Sequence, residues 1–354
     1  MRALILSGGK GTRLRPITHT SAKQLVPVAN KPILFYGIEA MREAGITEVG
    51  IVVGDTHQEI RDAVGDGSRF GVKVTYIRQE APLGLAHAVL VSEAFLGDQP
   101  FVMYLGDNLV RDGIRPLVEE FRRDRPNSQI LLAHVKNPEE FGVAELDGGR
   151  VVRLEEKPAQ PRSDLALVGV YMFDAHVFEA VKAIRPSRRG ELEITDAIQY
   201  LIDKKFDVRS HVIGGWWKDT GKLEDMLEAN RMMLENLEPK NSGTLDAKSR
   251  LEGRVVIGAG TRVENSLLRG PLIVGERCVI RDAYLGPFTS ISDECVIEDS
   301  EIEHSIVLER SRIGRLAMRV EGSLVGKDVV IRATDARPRS YRFMIGDSCC
   351  VDVV

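Results

Sequence analysis

From Leu251 onward, aliphatic residues return at a fixed interval. Ile273, Val279, Leu285, Ile291 and Ile297 stand six positions apart; Ile257 and Val263 repeat the step, as do Val325 and Ile331. Small, polar and glycine residues fill the gaps. Few folds tolerate such a pattern. An amphipathic helix wants apolar residues roughly every three or four positions, and a half-buried strand wants every second one. A six-residue aliphatic period suits a parallel β-helix of hexapeptide repeats, in which each short strand stacks on the coil below and the aliphatic positions form internal ladders. The period breaks near Leu267 and near His304, which predicts loops leaving the coil at those points. The pattern predicts a β-helix domain over residues 251–354.

The part before it has a different rhythm. Residues 1 to about 235 alternate strand-like runs such as Glu48–Val53 and Phe101–Leu105 with helix-like stretches such as His57–Val64. That alternation predicts an α/β domain, Rossmann-like, with a mostly parallel sheet. Ligands of such sheets sit beyond the carboxyl ends of the strands. Gly8, Gln79 and Asp107 each fall just after a predicted strand, so one crevice can take all three. The polar stretch 239–250, with Pro239 and Gly243, reads as a linker after a first domain of residues 1–238.

The chemistry concentrates at the start of the chain. Ala3 to Leu6 is an apolar run that leads into Ser7-Gly8-Gly9-Lys10-Gly11-Thr12-Arg13. Glycines here let backbone N–H groups turn inward, and such a nest binds phosphates. Arg13, Arg15 and Lys23 add cations, which suits a triphosphate or pyrophosphate. A P-loop is excluded because no Gly-Lys-Ser/Thr triplet follows. A dinucleotide fingerprint is excluded because Leu14 stands where its third glycine belongs.

The whole stretch, G-G-x-G-T-R-L-x-P-x-T-x-x-x-x-K-x-L-x-P-V-x-x-K-P, resembles the signature of the sugar-nucleotidyltransferases. With Lys23-Gln24-Leu25 it most resembles the glucose-1-phosphate thymidylyltransferases, whose long form carries a left-handed β-helix after its catalytic domain. The resemblance implies dTTP and α-D-glucose 1-phosphate as substrates, Mg²⁺ as cofactor and a place in deoxysugar biosynthesis. It implies catalytic roles for Arg13, Lys23 and Lys157. Nucleotide binding falls to Gly8, Gly9, Gly11, Thr12, Arg13, Gln24, Gln79, Pro82, Gly84 and Asp107. Sugar phosphate falls to Gly142, Glu156, Lys157 and Leu167, and the metal to Asp107 and Asp219.

The residue types fit these assignments. A carboxylate after a strand and beside a glycine suits Mg²⁺, which takes one or two carboxylates and completes its shell with phosphates and water. The Gln79 amide offers one donor and one acceptor to a pyrimidine imide, and Gly84 lets a ring lie close to the backbone. Some positions depart from the better-known short enzymes. Leu83 stands in place of an acidic residue, His87 in place of glutamine, Phe141 in place of tyrosine and Leu167 in place of valine. Pro-Leu-Gly-Leu also occurs in uridylyltransferase-like relatives, so a UTP-using or dual-base enzyme is the same-class alternative. Alternatives of another class are acyl transfer in the β-helix, for which His304 is the available histidine, and a non-catalytic regulatory homologue.

Composition sets outer bounds. The chain has 354 residues, 43% apolar and 28% charged, with a net charge of −4, which gives no reason to expect nucleic-acid binding. No apolar run reaches membrane-spanning length, and charge and glycine interrupt the N-terminus too early for a signal peptide. Cys278 and Cys295 stand alone and Cys349-Cys350 are adjacent, without zinc-ligand spacing. Free thiols, a cytoplasmic location and a homo-oligomer are expected.

Overall fold

The computed structural model describes residues 1–335, apart from Lys10 and Thr20; Cys349, Cys350 and the end of the expected β-helix domain lie outside these residues. The chain divides into two compact units. The first holds residues 1–9, 21–25 and 33–219, and the second holds 11–19, 26–32 and the residues from 220.

The first unit is built on a nine-stranded sheet. In chain order its elements are β1 (Arg2–Ser7), α1 (Ile33–Glu43), β2 (Glu48–Val53), α2 (His57–Val64), β3 (Lys73–Arg78), α3 (Leu85–Val91), β4 (Phe101–Leu105), the short β5 (Asn108–Val110), α4 (Arg115–Asp124) and β6 (Ser128–His134). There follow β7 (Gly142–Asp147), β8 (Arg150–Glu156), β9 (Leu165–Phe173), α5 (Val177–Ala183), α6 (Ile194–Asp203), β10 (Val208–Val212) and β11 (Trp217–Asp219). The strand order is β8-β7-β9-β4-β1-β2-β3, with β6 paired to β9 and β10 to β6. Strands β4, β1, β2 and β3 run parallel, while β9 enters antiparallel to β4. Helices cover both faces, so the central strands read as continuous apolar runs. Ala3 and Ile5 of β1 join one core cluster, which takes in α1, and Leu4 and Leu6 join the other, which takes in α3 and α5. Strands β5 and β11 form a separate antiparallel pair in which Asp219 lies opposite Asn108.

The second unit contains α7 (Leu223–Leu234) and a three-sided parallel β-helix. Each face is a ladder of short strands, with a coil of about 17 residues. Leu251, Leu268, Leu285 and Ile302 stack on one face. Ile257, Val274, Ile291, Val307 and Val325 stack on the second. Val263, Ile280, Ile297, Ile313 and Ile331 stack on the third.

Three expectations are corrected here. The buried positions of consecutive faces are Val263, Leu268, Val274, Ile280, Leu285, Ile291 and Ile297, so one corner in three is a residue shorter than the other two. Ile273 and Val279 therefore miss the inward position by one residue and are only half-buried, while Val274 and Ile280 are inside. The break near Leu267 is that short corner; at His304 the corner from Ile302 to Val307, six residues long in the coil before it from Leu285 to Ile291, is itself a residue shorter, and neither is a loop leaving the coil. His304 is such a corner, at φ 49°, with its ring 5.1 Å from that of Phe288. Finally, the stretch read as a linker pairs into the coil: Lys240–Asn241, Thr244–Leu245 and Arg250–Glu252 are the first rungs of the three ladders. Its polar composition reflects an end coil, which has a neighbour on one side only. Cys278 and Cys295 are buried free thiols on successive coils, pushed up to about 11 and about 12, chiefly by burial.

Candidate active site

In the first unit β1, β2 and β4 end side by side, and each is followed by glycine: Gly8, Gly54 and Gly106. Gly8 and Gly9 open the loop after β1, and the Lys23 side chain runs alongside Gly9. Its ammonium forms an ion pair with the Asp107 carboxylate, two residues beyond the end of β4. Both side chains are nearly buried. The second oxygen of Asp107 accepts a hydrogen bond from the Asn108 amide at 3.0 Å. Burial alone would raise the Asp107 carboxyl, but the Lys23 ammonium and the Asn108 amide outweigh it, and the group lies below the usual carboxylate range.

Asn108 organises this corner. Its Oδ1 accepts from the Trp217 indole N–H and from the Gly169 amide at 3.3 Å, and its own carbonyl accepts from the Tyr104 hydroxyl at 2.9 Å. Because Asp219 is opposite Asn108 on the β5–β11 rung, the two aspartates stand one residue apart in register across it. Among the described residues no group of three or more His, Cys, Asp or Glu side chains converges as a metal cage. A pair of carboxylates is the donor set that Mg²⁺ uses when phosphates supply the remaining ligands. Gln24 is buried, and its Oε1 has no hydrogen-bond partner among the described residues. Buried polar atoms left open in this way are uncommon, and Ser7 Oγ, at the end of β1, is another.

Gln79 follows β3. Its Nε2 donates to the Gly84 carbonyl at 3.2 Å and faces His87 Nδ1 at 3.0 Å, and its Oε1 points toward Gly8. Pro82 and Leu83 are exposed. Gly84 has φ 103°, and a Cβ built there would stand 2.3 Å from the Leu192 carbonyl oxygen. Glycine is thus required by the close approach of the Leu192 backbone.

A second cluster forms where β7, β8, β9 and α6 meet. A Cβ on Gly142 would stand 2.7 Å from Thr195 Cγ2, 2.8 Å from Leu167 Cδ1 and 3.1 Å from Glu156 Oε2. Glu156 accepts from the Thr195 hydroxyl at 3.3 Å and from Arg189 at 3.2 Å. Burial, and then the charge of the nearby Glu193, push the Glu156 carboxyl above its ordinary value, against the pull of Lys157, Arg189 and Thr195. Lys157 is exposed and adopts φ 43°, a conformation strained for lysine, while its N–H donates to the Phe141 carbonyl at 2.9 Å. The Phe141 ring meets that of Trp217 edge-on, with centroids 5.3 Å apart.

In the second unit, Gly11 starts a single turn at φ 62°, which exposes Thr12 and Arg13. The Arg13 guanidinium packs on Gly221, just after the Asp219-Thr220 pair.

A nucleotidyl transferase family profile matches residues 2–236. The chain belongs to this family. A glucose-1-phosphate thymidylyltransferase of Streptomyces antibioticus is 58% identical over 100% of this chain and 99% of its own length. Among solved structures, a glucose-1-phosphate thymidylyltransferase of Bacillus anthracis matches with TM-score 0.63 at 36% identity, covering 68% of this chain and 98% of that one. A UDP-glucose pyrophosphorylase complexed with UDP-glucose matches with TM-score 0.60 at 26% identity, covering 66% and 98%.

The two clusters differ in kind: a cation and carboxylates lie at the strand ends, and Glu156 is packed beside Leu167 and Thr195 around Gly142. The structure adds residues that the sequence did not single out. Asn108 was hidden as the residue after a chosen aspartate. Arg189, Glu193 and Thr195 lie in Arg-Gly-Glu-Leu-Glu-Ile-Thr, a charged run opening α6, which composition alone marks only as a helix start.

Proposed function

We propose that this nucleotidyltransferase transfers a thymidylyl group from dTTP to α-D-glucose 1-phosphate, giving dTDP-glucose and pyrophosphate with Mg²⁺. The observation that supports it most is the placement, within one unit, of the Lys23–Asp107 pair and Gln79 at the strand ends and of Glu156 with Gly142 and Leu167 in a second cluster. A phosphate oxygen of the sugar phosphate attacks the α-phosphorus of dTTP; the new O–P bond forms as the bond to the pyrophosphate oxygen breaks. A phosphate dianion is nucleophilic without a general base, so catalysis rests on positioning and charge.

Each side chain has a task in this reading. Gln79 pairs with the imide of the base, with Pro82 and Gly84 shaping its loop. Gly8, Gly9, Gly11, Thr12 and Gln24 border the triphosphate. Lys23 and Arg13 stabilise charge on the departing pyrophosphate. Lys157 screens the incoming phosphate, and Glu156 accepts hydrogen bonds from sugar hydroxyls against Gly142 and Leu167. Asp107 and Asp219 would hold Mg²⁺, which supplies charge compensation on the phosphate oxygens when bound.

Pyrophosphate release, measured across four nucleoside triphosphates and several sugar 1-phosphates, tests the proposal. The highest kcat/KM should belong to dTTP with glucose 1-phosphate. A second reading, preference for UTP, is favoured by the apolar, exposed Leu83 in Pro82-Leu83-Gly84-Leu85. A homo-oligomer is also proposed, tested by light scattering of the purified chain. No described helix is long and apolar enough to cross a membrane.

A further inference from the structure

Asn230 of α7 is fully buried and makes three hydrogen bonds. Its Oδ1 accepts from the Ala29 N–H at 2.9 Å and from the Ser290 hydroxyl at 2.7 Å, and its Nδ2 donates to the Phe288 carbonyl at 3.0 Å. A carboxamide has a fixed planar fan of donors and acceptors, so these bonds set three pieces of chain against one another. Phe288 and Ser290 belong to the β-helix. Ala29 belongs to the tip of a hairpin whose strands pair Pro27 with Pro32 and Val28 with Lys31.

That tip is strained. Ala29 and Asn30 have φ 47° and 58°, the two left-handed central residues of a tight hairpin turn, and neither is glycine. Such conformations persist when their surroundings over-determine them. Asn30 supplies a second tie, since its Nδ2 donates to the Ile291 carbonyl at 2.6 Å. The hairpin therefore rests on the coil strand Thr289–Ile291.

The hairpin is the closing part of the opening signature, Pro27-Val28-Ala29-Asn30-Lys31-Pro32, and only Leu25 and Val26 separate it from Lys23-Gln24. An earlier part of the signature meets the coil too: a Cβ at Gly326 would stand 3.4 Å from Ile17 Cδ1. The β-helix is thus in direct contact with the signature at two places.

We infer that Asn230 is a positioning residue for nucleotidyl transfer, and that the β-helix serves as scaffold for the signature rather than as an appended module. Asn230 and Ser290 fix the path of the chain just after Lys23, the cation assigned to the departing pyrophosphate. The inference rests on that assignment for its kinetic effect. A displacement of about 1 Å in a phosphate-facing group is enough to cost on the order of 100-fold in rate.

The test uses the full chain as Asn230→Ala and as Ser290→Ala, assayed well below each variant's Tm, with hydrogen exchange measured alongside. Asn230→Ala should lower kcat about 10-fold or more while KM for the sugar phosphate stays within about twofold. Ser290→Ala, which leaves the Asn230–Ala29 bond in place, should move kcat the same way by less. Exchange should quicken across residues 21–32 and stay unchanged in β4. A folded Asn230→Ala chain with lowered Tm and unaltered kcat overturns the inference, since a purely structural role predicts that result. If Asn230→Ala does not fold, an unaltered kcat in Ser290→Ala overturns it equally. If the wild-type chain turns over none of the triphosphates, the substrate reading fails on its own. The exchange data then decide separately, and unchanged exchange over 21–32 in both variants refutes the support of the hairpin.

Discussion

Lys23 and Asp107 neutralise each other in a nearly buried ion pair, with side-chain exposures of 16% and 12%. Lys23 follows the glycine loop, and Asp107 lies two residues beyond the end of β4, the strand next to β1. Removing one partner of a buried ion pair costs about 3–5 kcal/mol, because the other keeps its charge and loses the pair's attraction. Asp107→Asn should therefore lower Tm as well as turnover.

The two aspartates give the first kinetic prediction. Asp107→Asn and Asp219→Asn should each cut pyrophosphate release roughly 100-fold or more, with a higher Mg²⁺ requirement. Chelating Mg²⁺ from the wild-type assay should abolish turnover and leave the circular dichroism spectrum unchanged. Near-normal activity of Asp219→Asn in Mg²⁺ would remove the second carboxylate from the proposed site.

Gly142 gives the second. The methyl added in Gly142→Ala would come within 2.7 Å of Thr195 Cγ2 and 2.8 Å of Leu167 Cδ1. Overpacking of this kind costs about 1–3 kcal/mol. KM for glucose 1-phosphate should rise about 10-fold or more while KM for dTTP changes little. Adding Thr195→Ser, which removes the clashing methyl, should recover part of the loss; no recovery would place the conflict elsewhere.

Glu156 links function to pH. Its carboxyl is raised by burial and by Glu193. A raised acid binds its proton more tightly in the folded state than in the unfolded one. Its ionisation therefore removes stability as pH climbs from the unfolded value, about 4.3, through the raised folded value. Above that window, Glu156→Gln should have a higher Tm relative to wild type than it has near pH 4. The same substitution should weaken glucose 1-phosphate binding, because the amide accepts sugar hydroxyls less strongly. Thermal melts from pH 4 to 8, with KM measured at pH 7.5, check both; a Tm difference independent of pH would show that Glu156 is not strained by its charge.

The gathering of the candidate residues near one strand end was legible because phosphate chemistry calls for glycines and cations at fixed spacing after a strand. Gly8, Gly9, Lys23 and Asp107 were readable for that reason. Arg189, Glu193 and Thr195 were not, because they reach Glu156 through the packing of α6 against β8, a tertiary event without local signature. The β-helix was legible in kind but its frame was not. A period of six fits two corners of the coil, and the third is a residue shorter, so Ile273 and Val279 were misread while Leu285, Ile291 and Ile297 were read correctly. The linker reading failed because an end coil has the polarity of a tether. Asn230 was invisible for a different cause: its partners lie far away in sequence, at Ala29 and Ser290.

If Gln79 reads the base, as proposed, base choice follows from the way its amide is held. Its Nε2 is engaged by the Gly84 carbonyl and His87, which leaves Oε1 as the acceptor for an imide N–H. Thymine and uracil both carry that N–H at neutral pH and cytosine does not, so dCTP should be a poor substrate. The amide cannot separate thymine from uracil; only contact with the thymine methyl can. One buried methyl is worth about 0.8 kcal/mol by area, and apolar pockets discriminate a methylene by roughly 1–3 kcal/mol. The preference for dTTP over dUTP should accordingly be tens-fold rather than thousands-fold. UTP adds a 2′-hydroxyl, so a further loss from dUTP to UTP would measure the ribose contact separately. His87→Leu frees the amide to rotate and should narrow the gap between dTTP and dCTP. The kcat/KM values for dTTP, dUTP, UTP and dCTP on wild type and His87→Leu test the whole chain of reasoning. If UTP proves the best of the four on the wild-type enzyme, the thymidylyl assignment gives way to the uridylyl one.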